Sequence, residues 1–153
     1  MSADTELVVR RSVTVPLPAD RAFDLFTNRM SEFWPKSHSI GSAPIAAAVV
    51  EPRPGGRWYE RGTDGSECSW GRVAVWEPPT RLVLLWQIDA AWTFDPELET
   101  EVEVTFTEEG GVTRVDLVHR HLDRFGEQAF AVRDTFESPG GWPGILDAYV
   151  AAA

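Results

Sequence analysis

A nearly strict alternation of apolar and polar positions marks residues 97–107. Side chains of a strand point alternately to its two faces, so this pattern predicts a strand with one buried face and one face in water. The buried face is expected to carry Leu98, Thr100, Val102, Val104 and Phe106, and the wet face Glu97, Glu99, Glu101, Glu103 and Thr105. The carboxylates are interpreted as a solvated face that resists edge pairing.

Six further segments are rich in β-branched and aromatic residues and are bounded by Pro, Gly or Asp-Gly turns. They are residues 7–16, 46–51, 57–62, 66–77, 81–88 and 112–121. Short connections join consecutive segments from residue 46 onward, which favours antiparallel pairing of neighbours. We therefore predict a meander within a sheet of seven strands.

Apolar residues recur at helical spacing in the remaining parts of the chain. Pro18 can begin a helix over residues 19–27, and Asn28 can cap a second short helix that Pro35 ends. Residues 122–153 return to helical spacing, with a Pro-Gly-Gly interruption before the last helix. This pattern predicts two short helices after the first strand and a helical C-terminal region.

Length and charge limit the class of protein. A chain of 153 residues suits one core, so we expect residues 1–153 to form a single domain. A net charge of -10 and a pI near 4.7 argue against a nucleic-acid partner, because phosphate binding depends on Lys and Arg. The single cysteine excludes an internal disulfide, and the sequence shows no leader or long apolar run. We expect a cytoplasmic protein that does not insert into membranes.

The chain shows no pattern typical of a metal or nucleotide site. Its three histidines are His38, His119 and His121, and a His-x-His pair without a carboxylate at defined spacing is not a metal motif. The Gly-Gly pairs lie in turns rather than in a strand-to-helix phosphate loop. We expect no metal and no cofactor. Cys68 is interpreted as a small buried apolar side chain, and His38 and His121 as exposed.

Five stretches together resemble one known superfamily: VRRSVTVPLPADRAFDLFT, PRPGGRWYE, GRVAVWEPPTRLVLLW, GGVTRVDLVHR and GGWPGILDAY. They resemble the START-like, or SRPBCC, superfamily. Within it they are similar to the bacterial branch related to the C-terminal domain of the activator of the ninety-kilodalton heat-shock protein's ATPase. The resemblance implies an α+β helix-grip fold, in which a curved antiparallel sheet of about seven strands surrounds a long C-terminal helix. It also implies an apolar cavity, which different members use for lipids, hormones or polyketides.

Strand parity selects the residues of this cavity. Trp58 and Glu60 share a face, which the resemblance points inward. Trp70 turns inward if a bulge near Gly71 switches the parity, while Trp76 is expected to face outward. The expected ligand-binding residues are Trp58, Glu60, Trp70, Leu82, Leu84, Trp86, Phe106, Leu117, His119, Trp142, Ile145 and Leu146, with Phe33 and Trp34 at the mouth.

Two ionisable side chains fall within this set. A buried Glu60 or His119 would orient the polar end of a ligand or move a proton. The alternative for Glu60 is a salt bridge with a neighbouring arginine: Arg57, Arg61 or Arg72. The alternative for His119 is a histidine whose hydrogen bonds are satisfied within the core.

Three functions follow from these residues and from the resemblance. The leading hypothesis is a domain that binds a small hydrophobic or amphipathic molecule in a Trp-lined cavity. The second is an enzyme similar to polyketide cyclases and aromatases, with Glu60 or His119 as acid or base. The third is an adaptor, chaperone-associated or otherwise, that uses the acidic surface of residues 97–103. Homodimerisation is a further hypothesis suggested by related domains.

Overall fold

A seven-stranded antiparallel sheet forms the centre of the computed structural model, which describes residues 7–36 and 38–153. The spatial order is β1-β7-β6-β5-β4-β3-β2, so β2 to β7 form the predicted meander and β1 pairs with β7. The strands are β1 Val9–Val15, β2 Ile45–Val50, β3 Arg57–Gly62, β4 Glu67–Glu77, β5 Arg81–Trp86, β6 Thr100–Glu109 and β7 Val112–Arg120.

Three α-helices complete the fold: α1 Ala19–Phe26, α2 Ala129–Glu137 and α3 Trp142–Ala152. The predicted second short helix is a single 3-10 turn, Met30–Glu32, and a longer 3-10 segment, Leu122–Gln128, precedes α2. The curled sheet and the helix after β1 confirm the α+β helix-grip prediction. None of the helices in residues 7–36 and 38–153 is long and apolar enough to cross a membrane.

A phenylalanine cluster fills the space between α1, the end of α3 and the sheet. Phe26 lies at its centre and contacts Phe33, Phe106 and Tyr149, with ring centroids 5.7, 6.2 and 5.4 Å away. The Tyr149 hydroxyl donates to the Ala22 carbonyl oxygen over 2.8 Å, which ties α3 to α1. The five members are Phe23, Phe26, Phe33, Phe106 and Tyr149.

Two irregularities in β4 set which of its side chains face inward. The pairing of β3 with β4 shifts by one residue at Trp70, so that Trp70 and Gly71 both become buried. A Cβ at Gly71 would lie 1.7 Å from the Leu85 carbonyl oxygen, which makes glycine necessary there. A second shift between Val73 and Val75 turns Trp76 toward Phe23, at a ring-centroid distance of 5.0 Å. The expectation that Trp76 faces outward is therefore wrong.

The acidic face of β6 is paired with arginines from neighbouring strands. Glu103 accepts hydrogen bonds from Arg120 and Arg81, both over 2.6 Å, and these bonds hold the pKa of Glu103 below its ordinary value. Glu101 also contacts Arg120, and Glu99, which directly precedes β6, contacts Arg72 on β4, two strands away. Because β6 lies inside the sheet, its carboxylates do not protect an edge, which corrects that interpretation.

Candidate functional site

A cavity of about 310 Å³ lies between the start of α3, the end of α2 and the inner face of β4 and β5. Loops supply much of its lining, and a break between α2 and α3 supplies one side. A Cβ at Gly141 would lie 2.2 Å from the Phe136 carbonyl oxygen, so glycine permits this close approach of the two helices. The lining residues are Trp34, His38, Ser39, Ile40, Trp70, Trp86, Ile88, Trp92, Thr135, Phe136, Ser138, Gly140, Gly141, Trp142 and Ile145.

A tryptophan cluster forms the inner wall and the floor of the cavity. Its members are Trp34, Trp58, Trp70, Trp86 and Trp142. The closest pair is Trp34 and Trp70, whose ring centroids are 4.9 Å apart at an interplanar angle of 35°. The other contacts are edge-to-face, with centroids 5.5 to 6.2 Å apart, a geometry that aromatic rings favour. Four members line the cavity, while Trp58 lies beneath them and is 0% exposed.

Edge hydrogen bonds fix the orientation of these indoles. The Nε1–H of Trp70 donates to Glu60 over 2.9 Å, that of Trp86 to the Ile88 carbonyl oxygen over 3.2 Å, and that of Trp58 to a methionine sulfur. The Nε1–H of Trp34 is buried and has no hydrogen-bond partner among the described residues. A buried donor of this kind costs about 1–3 kcal/mol, and other atoms of the Trp34 side chain line the cavity.

His119 lies in the core beside the cavity, and its ring is held by a chain of hydrogen bonds. Its Nδ1 accepts from the Nε1–H of Trp142 over 3.1 Å, which places the proton on Nε2. Nε2–H then donates to the Thr100 hydroxyl over 2.8 Å, and this hydroxyl donates to the Trp86 carbonyl oxygen over 2.9 Å. Burial lowers the pKa of His119 to about 3, so the ring stays neutral near pH 7.

Glu60 holds the loop that covers one side of the cavity. Its carboxylate is 1% exposed, and Oε1 accepts from Trp70 and from the Ile40 backbone N–H over 2.8 Å. The Ser39 hydroxyl contacts Oε2. The alternative of a salt bridge is wrong, because the arginines considered for it pair with Glu67 or Glu99. Glu60 therefore positions Ser39 and Ile40, which do line the cavity.

Trp92 stands at the opening, on a loop that hydrogen bonds hold in a tight turn. Its side chain is 49% exposed and its φ is 61°, an unusual value for a bulky residue. The Asp89 carboxylate accepts from the backbone N–H groups of Ala91 and Thr93 over 2.9 and 3.0 Å, and the Trp92 N–H donates to the Asp89 carbonyl oxygen over 3.0 Å. These bonds keep the indole beside the cavity.

His38 lies on the opposite side of the opening and links two segments of the chain. Its Nε2–H donates to the Gly140 carbonyl oxygen over 2.7 Å, which links the loop after Trp34 to the break between α2 and α3. His38 was expected to be exposed, but it is half-buried and lines the cavity. It is also the one residue able to ionise among the described lining residues.

The structure brings only part of the predicted set to this cavity. Trp70, Trp86, Trp142 and Ile145 line it, together with Trp34 from the predicted mouth. The others do not: Trp58, Glu60, Leu82, Leu84, Phe106, Leu117, His119 and Leu146 lie in the surrounding core. The predicted mouth residue Phe33 instead packs against Phe26 and Tyr149. It follows α1 through a 3-10 turn rather than a second helix, which sends Phe33 and Trp34 to different clusters.

Sequence reasoning missed the residues that loops and helix ends bring to the cavity: His38, Ser39, Ile40, Ile88, Trp92, Thr135, Phe136, Ser138, Gly140 and Gly141. Two signals were available. The Pro-Gly-Gly break marks a point where two helices approach closely, and Trp92 is a large aromatic residue within a polar loop. The remaining loop residues carry no periodic pattern that could have identified them.

Neither cysteine nor metal chemistry is evident in the described part of the chain. Residues 7–36 and 38–153 contain no group of three His, Cys, Asp or Glu side chains placed to hold a metal ion. Cys68 is half-buried beside Glu60, and burial together with this carboxylate raises the pKa of its thiol. A thiol with a raised pKa is a poor nucleophile at neutral pH.

Comparison with known proteins identifies relatives of this arrangement. The anthrahydroquino-γ-pyrone synthase Txn09 is 37% identical, with a TM-score of 0.68, over 95% of this chain and 96% of Txn09. The self-sacrificing resistance protein CalC from Micromonospora echinospora is 34% identical, with a TM-score of 0.71, over 94% of this chain and 92% of CalC. The comparison with curated proteins found no match. The profile of the family described as "Activator of Hsp90 ATPase homolog 1-like protein" matches residues 16–151, and the chain belongs to this family.

Proposed function

We propose that the protein binds a neutral, planar aromatic small molecule in the tryptophan-lined cavity. The observation that carries the proposal is the cavity itself: about 310 Å³, with five indoles and Phe136 in its lining. This volume falls at the lower end of the range typical of small-molecule sites. Flat indole faces offer contact area to a flat ligand with little loss of side-chain entropy, because the rings are already fixed.

The charge distribution favours a ligand without net charge. The described lining contains no Lys, Arg, Asp or Glu. A charged ligand would lose its hydration there without gaining a counterion. Neutral polar groups are present: the hydroxyls of Ser39, Thr135 and Ser138. Each of these hydroxyls already donates its proton to a protein oxygen, so its own oxygen is left to accept, and a hydroxyl group on an aromatic ring system is the donor that would match them.

The relatives support the same chemical class. Txn09 is named for an anthrahydroquino-γ-pyrone, which is a fused aromatic ring system with ring oxygens. At 37% identity over 95% of this chain, the likeness extends across the whole fold. The ligand proposed here is of that type: fused aromatic rings that carry carbonyl or hydroxyl oxygens.

A titration with 1,8-dihydroxyanthraquinone tests the proposal. Binding is measured in two ways, by calorimetry and by the quenching of tryptophan emission. Wild type is expected to bind one molecule saturably. Gly140→Phe is the blocking variant: a Cβ at Gly140 has no neighbour closer than 3.9 Å, and the ring would occupy space at the cavity. It should weaken binding about tenfold or more, whereas the matched control Gly140→Ala should bind as wild type does.

Two outcomes would contradict the proposal. The first is the absence of saturable binding to wild type in both measurements. The second is equal affinity of wild type and folded Gly140→Phe, which would place the anthraquinone elsewhere on the protein. Thermal unfolding of both variants at Gly140 establishes that the comparison is made between folded proteins.

A second candidate function is a ring-closing synthase, which the name of Txn09 favours. The earlier hypothesis gave the proton-transfer role to Glu60 or His119, but neither lines the cavity. His119 also has both ring nitrogens engaged in hydrogen bonds. In a synthase of this geometry, the acid or base would be His38, whose imidazole lies at the cavity beside Ser39.

His38→Gln separates the two candidates, with His121→Gln as a control because His121 does not line the cavity. A synthase should lose about a hundredfold or more in turnover of a phenolic diketone while keeping its affinity for the anthraquinone. A binding protein should show no turnover before or after the change.

The adaptor, chaperone-partner and homodimer hypotheses remain predictions. The carboxylates on and beside β6 are paired with arginines, which weakens the case for an acidic docking surface.

A further inference from the structure

A second cavity, the outer chamber, adjoins the one described above, which is called the inner chamber here. The outer chamber has a volume of about 180 Å³ and lies between α2 and the loop that carries Trp92. Both chambers are lined by Trp92, Thr135 and Phe136, so these side chains form the boundary between them. The other residues of the outer chamber are Asp89, Ala90, Gln128, Ala131 and Val132.

The two chambers differ in chemistry. The inner chamber is dominated by indole rings and has no carboxylate or carboxamide among its described lining residues. The outer chamber combines small apolar side chains with a carboxylate, a carboxamide and a hydroxyl, from Asp89, Gln128 and Thr135. A single ligand that occupied both would need a flat apolar part and a hydrogen-bonding part.

The polar groups of the outer chamber can still form hydrogen bonds with a ligand. Only Oδ1 of Asp89 takes part in hydrogen bonds within the described chain, which leaves Oδ2 as an acceptor. The Gln128 side chain makes no hydrogen bond to the residues that the structure describes, so its amide can both donate and accept. The Thr135 hydroxyl donates to the Ala131 carbonyl oxygen over 3.0 Å and retains its acceptor capacity.

Trp92 lines both the inner and the outer chamber. Half of its surface is exposed, and its loop is fixed by the turn at Asp89. A bulky residue in the left-handed region costs of order 1 kcal/mol or more, and such strain is often retained where a side chain must be placed for function. Here the strained residue stands at the boundary between two cavities, where it would contact both parts of a ligand.

We propose that the two chambers form one bipartite site, which binds a neutral aromatic molecule with a hydroxyl-bearing arm: the rings occupy the inner chamber and the arm the outer chamber. The proposal rests on the binding function proposed above and adds a second recognition element to it. A hydroxyl-bearing arm can donate to the Asp89 carboxylate and exchange hydrogen bonds with Gln128, whereas an apolar arm would leave both unpaired. A cationic arm would match Asp89 alone.

Two probes test the bipartite site by calorimetry: 1,8-dihydroxyanthraquinone, and the same ring with a 2,3-dihydroxypropyl group on one phenolic oxygen. Wild type is expected to bind the probe with the arm about tenfold more tightly. Ala131→Trp fills the outer chamber from the exposed face of α2 and should abolish this preference without changing the affinity for the unsubstituted ring. Gln128→Ala should reduce the preference about threefold.

Asp134→Trp is the matched control, because it adds the same indole to α2 at an exposed position that lines neither chamber. It should leave both affinities unchanged. Equal affinity of wild type for the two probes, or a preference that survives in Ala131→Trp, would overturn the bipartite site while leaving the inner chamber intact. If neither probe binds wild type, the binding function itself fails, and the bipartite site fails with it.

Discussion

The tryptophan cluster and the phenylalanine cluster occupy the same concave side of the sheet, yet only the first lines the cavity. None of the five rings of the phenylalanine cluster belongs to the cavity lining, although Phe26 alone contacts three of the others. The two clusters also differ in their polar atoms. The phenylalanine cluster contains one polar group, the Tyr149 hydroxyl, and the tryptophan cluster contains five indole N–H groups.

This difference explains how a cavity persists beside a packed core. Apolar rings without edge hydrogen bonds are free to move until they fill space, and protein cores reach high packing density in this way. Four indoles of the tryptophan cluster are instead held at their edges by Met30, Glu60, Ile88 and His119. A ring held at its edge cannot slide into the cavity without losing a buried hydrogen bond.

Two neighbouring residues of α3 give the largest expected effect. Leu146 is 1% exposed and does not line the cavity, whereas Ile145 does. Leu146→Ala should lower the free energy of unfolding by about 2–5 kcal/mol, because a new void opens in packed surroundings. Ile145→Ala should cost at least about 1 kcal/mol less, since part of its surface already faces empty space. Urea unfolding of both variants measures the difference.

Ligand binding should show the opposite ranking. Ile145→Ala is expected to change the affinity for 1,8-dihydroxyanthraquinone, and Leu146→Ala to leave it unchanged under conditions where the variant is folded. Equal stability losses at the two positions would mean that the cavity is filled or collapsed in solution. The contrast between the two clusters would then be wrong.

The second prediction concerns acid and His119. Its folded pKa lies below the ordinary 6.5, at about 3. A base with a lowered folded pKa contributes its full stability above about pH 6.5 and loses it as the pH falls toward 3. Each pH unit in that window should cost about 1.4 kcal/mol of unfolding free energy. Urea unfolding at several pH values between 6 and 4 measures this slope.

A His119→Gln variant isolates the contribution of this ring from that of the carboxylates. It keeps a side chain able to hydrogen bond, although it loses stability at pH 7, and it cannot take up a proton. The slope of its unfolding free energy against pH should be shallower than that of wild type by about 1.4 kcal/mol per pH unit, which is the contribution of one proton. Parallel slopes for the two proteins would show that His119 is not the buried neutral ring described here.

The third prediction tests the carboxylate that supports the loop over the cavity. Glu60→Gln replaces an acceptor of three hydrogen bonds by a group that also donates, and it should cost about 1–3 kcal/mol. Amide exchange at Ile40, whose N–H donates to Glu60, should accelerate more than exchange in the sheet. The exposed Glu67→Gln, on the neighbouring strand, is the control and should change stability by about 0.5 kcal/mol or less. Unchanged exchange at Ile40 would contradict the tethering role.

The fold could be predicted from the sequence because its elements have regular patterns. The alternation along β6 and the short turns of the meander identify strands without any tertiary information. The inward direction of Trp70 was also open to prediction, through the condition of a bulge at Gly71. Trp76 is predicted on the wrong face because the second register shift lies at residue 74. No glycine stands at that position, so the sequence gives no sign of a bulge there.

The candidate site was predicted less completely for a physical reason. The alternation along a strand predicts which side chains point inward. It does not predict where the helices pack against these side chains and where they leave a cavity. Leu84 and Trp86 share a face, and only Trp86 reaches the cavity. Most of the missed lining comes from loops, where His38 and Trp92 are placed by turn hydrogen bonds rather than by a repeating pattern.

The smallest expected effect lies outside both clusters, on the convex face of the sheet. Glu103 bonds to Arg81 and Arg120, and these bonds lower its folded pKa, so its contribution is present above about pH 4.5 and is lost as the pH falls below that value. Glu103→Gln should cost about 0.5–1.5 kcal/mol at pH 7 and progressively less below pH 4.5. The exposed Glu97→Gln should have almost no effect.

The position of Glu103 makes it a reference for the cavity variants. Because it lies on the opposite face from both clusters, its effect should add to that of Leu146→Ala within about 0.5 kcal/mol, and anthraquinone affinity should not change. Chemical unfolding of the single and double variants measures this additivity. Strong coupling between the two positions would show that the convex face and the core respond as one unit. The stability differences assigned to the cavity wall would then belong to the whole sheet.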